Sequence, residues 1–161
     1  LYALRAIDLI AKNLSRLLDN PDDIELRSKI ANGSLLAGLA FSNTKTTACH
    51  AISYPLTLSF GLNHGVAVCM TLGKMLVANE ETLIDKEQLL EAFGVKHVTD
   101  VQKFIHSILA KVGIPLQLRD YGVEREQLAE IANKSYTPGR MDNNPVDIDK
   151  QQLLTLLQEI H

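Results

Sequence analysis

The sequence predicts an all-α fold, on three observations. Apolar residues recur at helical spacing from the first residue onward, and helix start and stop signals punctuate the chain. No segment alternates apolar and polar residues over a strand's length between turns.

The elements follow in order. Leu1, Leu4, Ile7, Ile10, Leu14 and Leu17 form one apolar stripe, with Arg5, Asp8, Lys12 and Arg16 between them, which makes an amphipathic helix. Asn20-Pro21-Asp22 ends it and caps the next. That second helix turns smaller and more apolar toward Ser34-Leu-Leu-Ala-Gly-Leu-Ala-Phe41, and is expected to enter the core. From Thr46 to Ala78 two helices are apolar almost all round, broken at Phe60-Gly61-Leu62-Asn63, and should be central. Pro55 is expected to kink the first of them. Asp85-x-x-Gln88, Thr99-x-x-Gln102 and Asp149-x-x-Gln152 read as capping boxes, and Gly94 and Gly113 as helix-terminating glycines. Val101, Phe104, Ile105, Ile108, Leu109 and Val112 give another stripe; a short helix is expected over 124–134 and a last one from Asp149. Residues 137–147 form the one long polar loop.

At 161 residues the chain fits one domain and can bury a core without disulfides. Sixteen basic residues against nineteen acidic ones, a net charge of −3, with no basic patch, argue against a nucleic-acid binder. The longest apolar stretch, residues 65–78, is broken by Lys74 and falls short of the roughly 18 residues of a membrane span. Cys49 and Cys69 lack CxxC spacing and fit reduced, buried thiols in a cytoplasmic protein. Leu1 is already in phase with a helix, so the chain is expected to be part of a longer polypeptide.

The residues that stand out chemically are His50 and His64, fourteen apart in apolar surroundings. Both imidazoles are expected to point into a packed interior, where each needs hydrogen-bond partners or a metal. A reversal between the two central helices could bring them together. The spacing alone leaves both readings open, because there is no HExxH and no carboxylate between Glu25 and Glu80. Cys49, beside His50, has no orienting acid and reads as packing. No Walker-type loop or GxGxxG occurs. His97, His106 and His161 read as solvated surface.

Three runs in order, Leu35-Leu-Ala-Gly-Leu-Ala-Phe41-Ser-Asn43, His50-Ala-Ile-Ser-Tyr54-Pro55-Leu56 and Gly61-Leu-Asn-His64-Gly65, closely resemble the C-terminal helical half of iron-containing (group III) alcohol dehydrogenases. Arg140-Met-Asp-Asn-Asn-Pro145 ahead of the final helix extends the likeness to nearly the whole chain. The resemblance implies a C-terminal helical metal-binding domain over 1–161, with an N-terminal domain that binds NAD or NADP lying outside it. It implies one divalent metal, Fe(II) or alternatively zinc, held by an aspartate and three histidines. His50 and His64 match the last two histidines, and the other two ligands come from a DxxxH segment that normally precedes the helix beginning at Leu1. The metal would polarise the carbonyl of an aldehyde, or acidify an alcohol, while nicotinamide exchanges a hydride. The chain alone would then be inactive.

Further expectations rest on the same resemblance. Most members carry a histidine where this chain has Tyr54, which shares a helix face with His50 and could relay a proton or simply pack. The Ser-Tyr-Pro variant resembles a branch that includes phosphonoacetaldehyde-type reductases. Phe41 and Arg140 fall at positions near the substrate; Arg140, with Lys45 close in sequence to the metal helix, would favour an anionic aldehyde. A homodimer is compatible with this reading. Two alternatives stand beside it. One is another enzyme of the same architecture, glycerol dehydrogenase-like or dehydroquinate synthase-like; the other is a non-enzymatic helical binding module in which both histidines are core residues.

Overall fold

The computed structural model describes all residues from Leu1 to His161 and contains helices and turns without a strand. Eight α-helices follow one another: α1 Tyr2–Asp19, α2 Ile24–Phe41, α3 Ala48–Phe60, α4 His64–Ala78, α5 Lys86–Phe93, α6 Val98–Lys111, α7 Leu128–Lys134 and α8 Lys150–Glu159. The expected all-α class holds, and so do the two central helices. In α3, Ala48, Ala51, Ile52, Ser53 and Leu56 are all fully buried. They join Met70 and Met75 of α4, Leu128 and Ile131 of α7, and Leu153 and Leu157 of α8 in the main core. Each fully buried Leu or Ile contributes about 1.5–3 kcal/mol relative to exposure. Pro55 sits inside α3, which runs on past it to Phe60, although the ring removes one backbone donor from the helix.

The second core is smaller. Val101, Ile105 and Leu109 of α6 pack with Leu72 and Leu76 of α4 and with Phe93 of α5. Here α4 and α6 approach closely because residue 73 has no side chain: a Cβ on Gly73 would lie 2.8 Å from the Cα of Gln102. The Gly73 N–H donates to Oε1 of Gln102 at 2.9 Å, tying the helices at that point.

The first two helices behave differently from the sequence expectation. They pair with each other, and α1 also packs on α5. The apolar end of α2 does not enter the core: Leu35, Leu39 and Phe41 are exposed, and only Leu26 and Gly33 of that helix are buried. Ile7, Ile10 and Leu14 of α1, with Ala37 and Phe41 of α2, instead face Leu72, Phe104 and Ile108 across an apolar cleft of about 580 Å³. Small residues in α2 thus serve the α1–α2 contact, where a Cβ on Gly33 would meet Ile10 at 2.8 Å.

Helix ends follow local chemistry in part. Asp149 accepts from the Gln152 N–H and Gln152 returns the bond, the expected reciprocal cap. Asp23, one residue later than the Asn-Pro-Asp signal, caps α2 through the Leu26 N–H. Thr99 lies inside α6, whose N-cap is His97, and Asp85 caps α5 without a side-chain bond. The Gln102 side chain that a box at Thr99 needed is committed instead to Gly73. Gly94 and Gly113 both adopt the left-handed conformation that ends a helix.

Candidate active site

Three residues reverse the chain between the two central helices. Gly61 ends α3 in the left-handed conformation, φ 70°, and Asn63 caps α4 by accepting from the Gly65 N–H at 3.0 Å. This turn returns His64, the first residue of α4, to the flank of α3. The rings of His50 and His64 stand 5.4 Å apart between centroids, tilted at 60°. They meet at the surface and not in a packed interior: His64 is exposed and His50 half-buried. The apolar neighbours that suggested burial belong to the opposite faces of the same helices, where Ala51, Ile52, Ala67 and Met70 fill the core.

Two more side chains converge there. Tyr54, one helical turn beyond His50, has its ring centroid 5.8 Å from that of His64. The guanidinium carbon of Arg140 lies 4.4 Å from the centroid of the Tyr54 ring, a cation–π contact across 86 residues of sequence. Arg140 opens a short 3-10 turn, Met141–Asn143, that is fastened to the entry of α3: Nδ2 of Asn143 donates to the Thr46 carbonyl at 3.1 Å. Behind it Asn144, buried, exchanges amide hydrogen bonds of 3.0 and 2.8 Å with Asn79 at the end of α4. The Asn-Asn-Pro run is therefore the clamp that holds Arg140 against Tyr54.

Burial, and then the proximity of His64 and Arg140, hold His50 below the usual histidine range, which favours the neutral ring. Two imidazoles, one kept neutral by its surroundings, fit a transition-metal ion in kind. They make half of a ligand set, since such sites use three or four ligands and the chain assembles no cluster of three His, Cys, Asp or Glu side chains. Sequence reasoning missed Ser53, fully buried between them, whose Oγ lies 2.8 Å from the His50 carbonyl and 3.2 Å from Nδ1 of His64. Its position three residues after His50, on the same helix face, was the available signal.

The remaining candidates lie elsewhere. Phe41 lines the apolar cleft beside α1, a surface to which none of His50, Tyr54, His64 or Arg140 contributes. His97 is exposed as expected, but His106 is half-buried against Gln102 and His161 bonds the Val123 carbonyl at 2.9 Å. Cys49 and Cys69 are free thiols, the first buried and the second half-buried. Burial raises the Cys49 thiol to about 11, despite the lowering effect of its bond with Thr71. At pH 8 about one part in a thousand is then thiolate, the reactive form. Iodoacetamide at that pH should leave Cys49 unmodified in the folded protein and alkylate it after denaturation. Rapid native labelling, read by mass spectrometry, would contradict its burial.

All of the chain, residues 1–161, matches the model of the Fe-containing alcohol dehydrogenase family, C-terminal region, and the chain belongs to that family. It is 30% identical over 166 residues to 1,3-propanediol dehydrogenase of Klebsiella pneumoniae, a match covering 98% of this chain and 43% of that protein. Phosphonoacetaldehyde reductase of Streptomyces viridochromogenes is 29% identical over 169 residues, covering 98% of this chain and 42% of the relative. The crystal structure of sulfoacetaldehyde reductase from Bifidobacterium kashiwanohense in complex with NAD+ superposes with a TM-score of 0.86 at 31% identity, covering 99% of this chain and 42% of that one. The chain thus spans less than half the length of these relatives. No helix is long and apolar enough to cross a membrane.

Proposed function

We propose that residues 1–161 are the C-terminal helical domain of a metal-dependent, NAD(P)-linked alcohol dehydrogenase or aldehyde reductase. The observation that carries this is the pairing of His50 and His64, 5.4 Å apart, with Tyr54 and Arg140 gathered at the same place. Bound there, a divalent metal supplies Lewis-acid polarisation of a carbonyl oxygen, and a nicotinamide cofactor carried by a nucleotide-binding domain supplies the hydride. His50 and His64 contribute two ligands to that metal. The phenol of Tyr54 stands beside the imidazoles as a hydrogen-bond donor to the reacting oxygen. Arg140, which pairs with no carboxylate in the chain, presents a permanent charge to the substrate side. The named relatives include reductases of sulfoacetaldehyde and phosphonoacetaldehyde, and a half-buried guanidinium free of any carboxylate supports an anionic aldehyde here as well. Phe41 lends itself to substrate contact only where the apolar cleft adjoins the bound molecule.

Steady-state kinetics on the full-length polypeptide test this. Arg140→Ala should lower kcat/KM for phosphonoacetaldehyde and succinic semialdehyde by about 10- to 100-fold, the worth of a charge-assisted hydrogen bond, and spare a neutral aldehyde of similar length. Tyr54→Phe keeps the ring under Arg140 and removes only the hydroxyl. It should lower kcat by about 100-fold on all three aldehydes, as loss of a proton donor does, with bound metal unchanged. Equal losses on all aldehydes for Arg140→Ala would remove it from anion recognition, and wild-type turnover for Tyr54→Phe would make that residue packing.

A further inference from the structure

We propose that Ser53 fixes the tautomer of His64, so that Nδ1 carries the proton and Nε2 presents the lone pair to a divalent metal. The inference rests on the assignment of His64 as a ligand and adds a positioning residue to it. Ser53 Oγ has one proton to donate and lone pairs with which to accept. A backbone carbonyl can only accept, and the His50 carbonyl is the nearer neighbour, at 2.8 Å. The hydroxyl proton is therefore committed to His50. The contact of 3.2 Å with Nδ1 of His64 is then satisfied in one way, with Nδ1–H donating to the serine oxygen.

The opposite tautomer has a definite cost. With Nδ1 unprotonated, the buried Oγ, its one proton committed to the His50 carbonyl, would set its lone pairs against that of Nδ1 across the 3.2 Å contact. Losing the hydrogen bond to such an opposition disfavours that tautomer by about fivefold or more. The ring nitrogens then divide their tasks. Nδ1 is anchored to α3, and Nε2 belongs to an exposed side chain and has no hydrogen-bond partner in the chain. A group that holds the far nitrogen of a ligating histidine orients the ring and selects the ligating atom. Here the same serine also bonds the backbone of His50, so one hydroxyl links the His64 ring to the helix turn that carries His50.

The test uses the full-length protein with Zn2+ alone as the probe. In metal-free, 15N-histidine-labelled wild type at pH 7.5, NMR should show His64 as the Nδ1–H tautomer. Ser53→Ala, with helix content checked by circular dichroism, should give a mixture of tautomers and weaken zinc binding by about 10- to 100-fold. Should that variant fail to fold, the wild-type tautomer decides alone. A proton on Nε2 in wild type overturns the proposal. So does wild-type zinc affinity in Ser53→Ala while His64→Ala loses zinc, a result that leaves the ligand assignment standing. Wild-type zinc affinity in His64→Ala would instead remove the ligand assignment itself.

Discussion

His64→Ala in the full-length protein is expected to abolish retention of a divalent metal and, with it, turnover, at nearly unchanged helix content. The geometry sets the proposed ligand apart from the core. His64 is exposed, begins α4, and makes one side-chain hydrogen bond, to Ser53. The substitution leaves the Asn63 cap on Gly65 in place, and alanine suits a helix's first turn. What disappears is one nitrogen donor from a site that has few: removing one of three or four ligands takes metal affinity below the range in which an enzyme keeps its ion. His97→Ala, at an exposed histidine remote in sequence, serves as the control and should keep both metal and activity. Metal content by mass spectrometry and turnover are the readouts. A His64→Ala protein that keeps stoichiometric metal and normal turnover would show that the imidazole pair is an accident of packing.

The largest stability effect is expected at Gly73. A Cβ there would stand 2.4 Å from Oε1, 2.5 Å from Cβ and 2.8 Å from Cα of Gln102. The oxygen can swing away, but the Cα belongs to the backbone of α6, so α4 and α6 must separate. Overpacking of that kind costs about 1–3 kcal/mol, and the loss of the Gly73–Gln102 bond adds about 1 kcal/mol, against about 1 kcal/mol gained from the better helix former. Gly73→Ala should therefore destabilise by about 2 kcal/mol. Gly38 in α2 has nothing within 4 Å of its notional Cβ, so Gly38→Ala should be neutral or stabilise by up to about 1 kcal/mol. Urea midpoints followed by far-UV circular dichroism distinguish the two. Equal midpoints would contradict the close approach of α4 and α6 at Gly73.

What could be read from the sequence depended on whether the signal was local. The stripes of α1 and α6 and the apolar wrap of α3 and α4 are local properties, and each produced a helix where periodicity placed it. The breaks at Gly61 and Gly94 are local too, because a positive φ selects glycine. The apolar end of α2 misled, since hydrophobicity shows that a surface prefers cover without showing which surface covers it; Leu35 and Leu39 remain exposed. The burial assigned to both imidazoles failed for the same reason: the neighbours in sequence are apolar, yet they point the other way. The stack of Arg140 on Tyr54 and the amide pair of Asn79 with Asn144 join residues far apart in the chain, and no spacing rule reaches that distance. The pairing of His50 with His64 was legible because a short reversal between two adjacent helices is itself local.

On the reading proposed above, His50 and His64 hold one divalent metal between them. Anomalous diffraction from crystals of the full-length protein, collected on both sides of the absorption edge of its bound metal, tests it most directly. One strong peak is expected between the two rings, about 2.0–2.1 Å from a nitrogen of each, with Nε2 as the His64 donor. A metal bound elsewhere in an active enzyme, with either imidazole outside its coordination sphere, would contradict it.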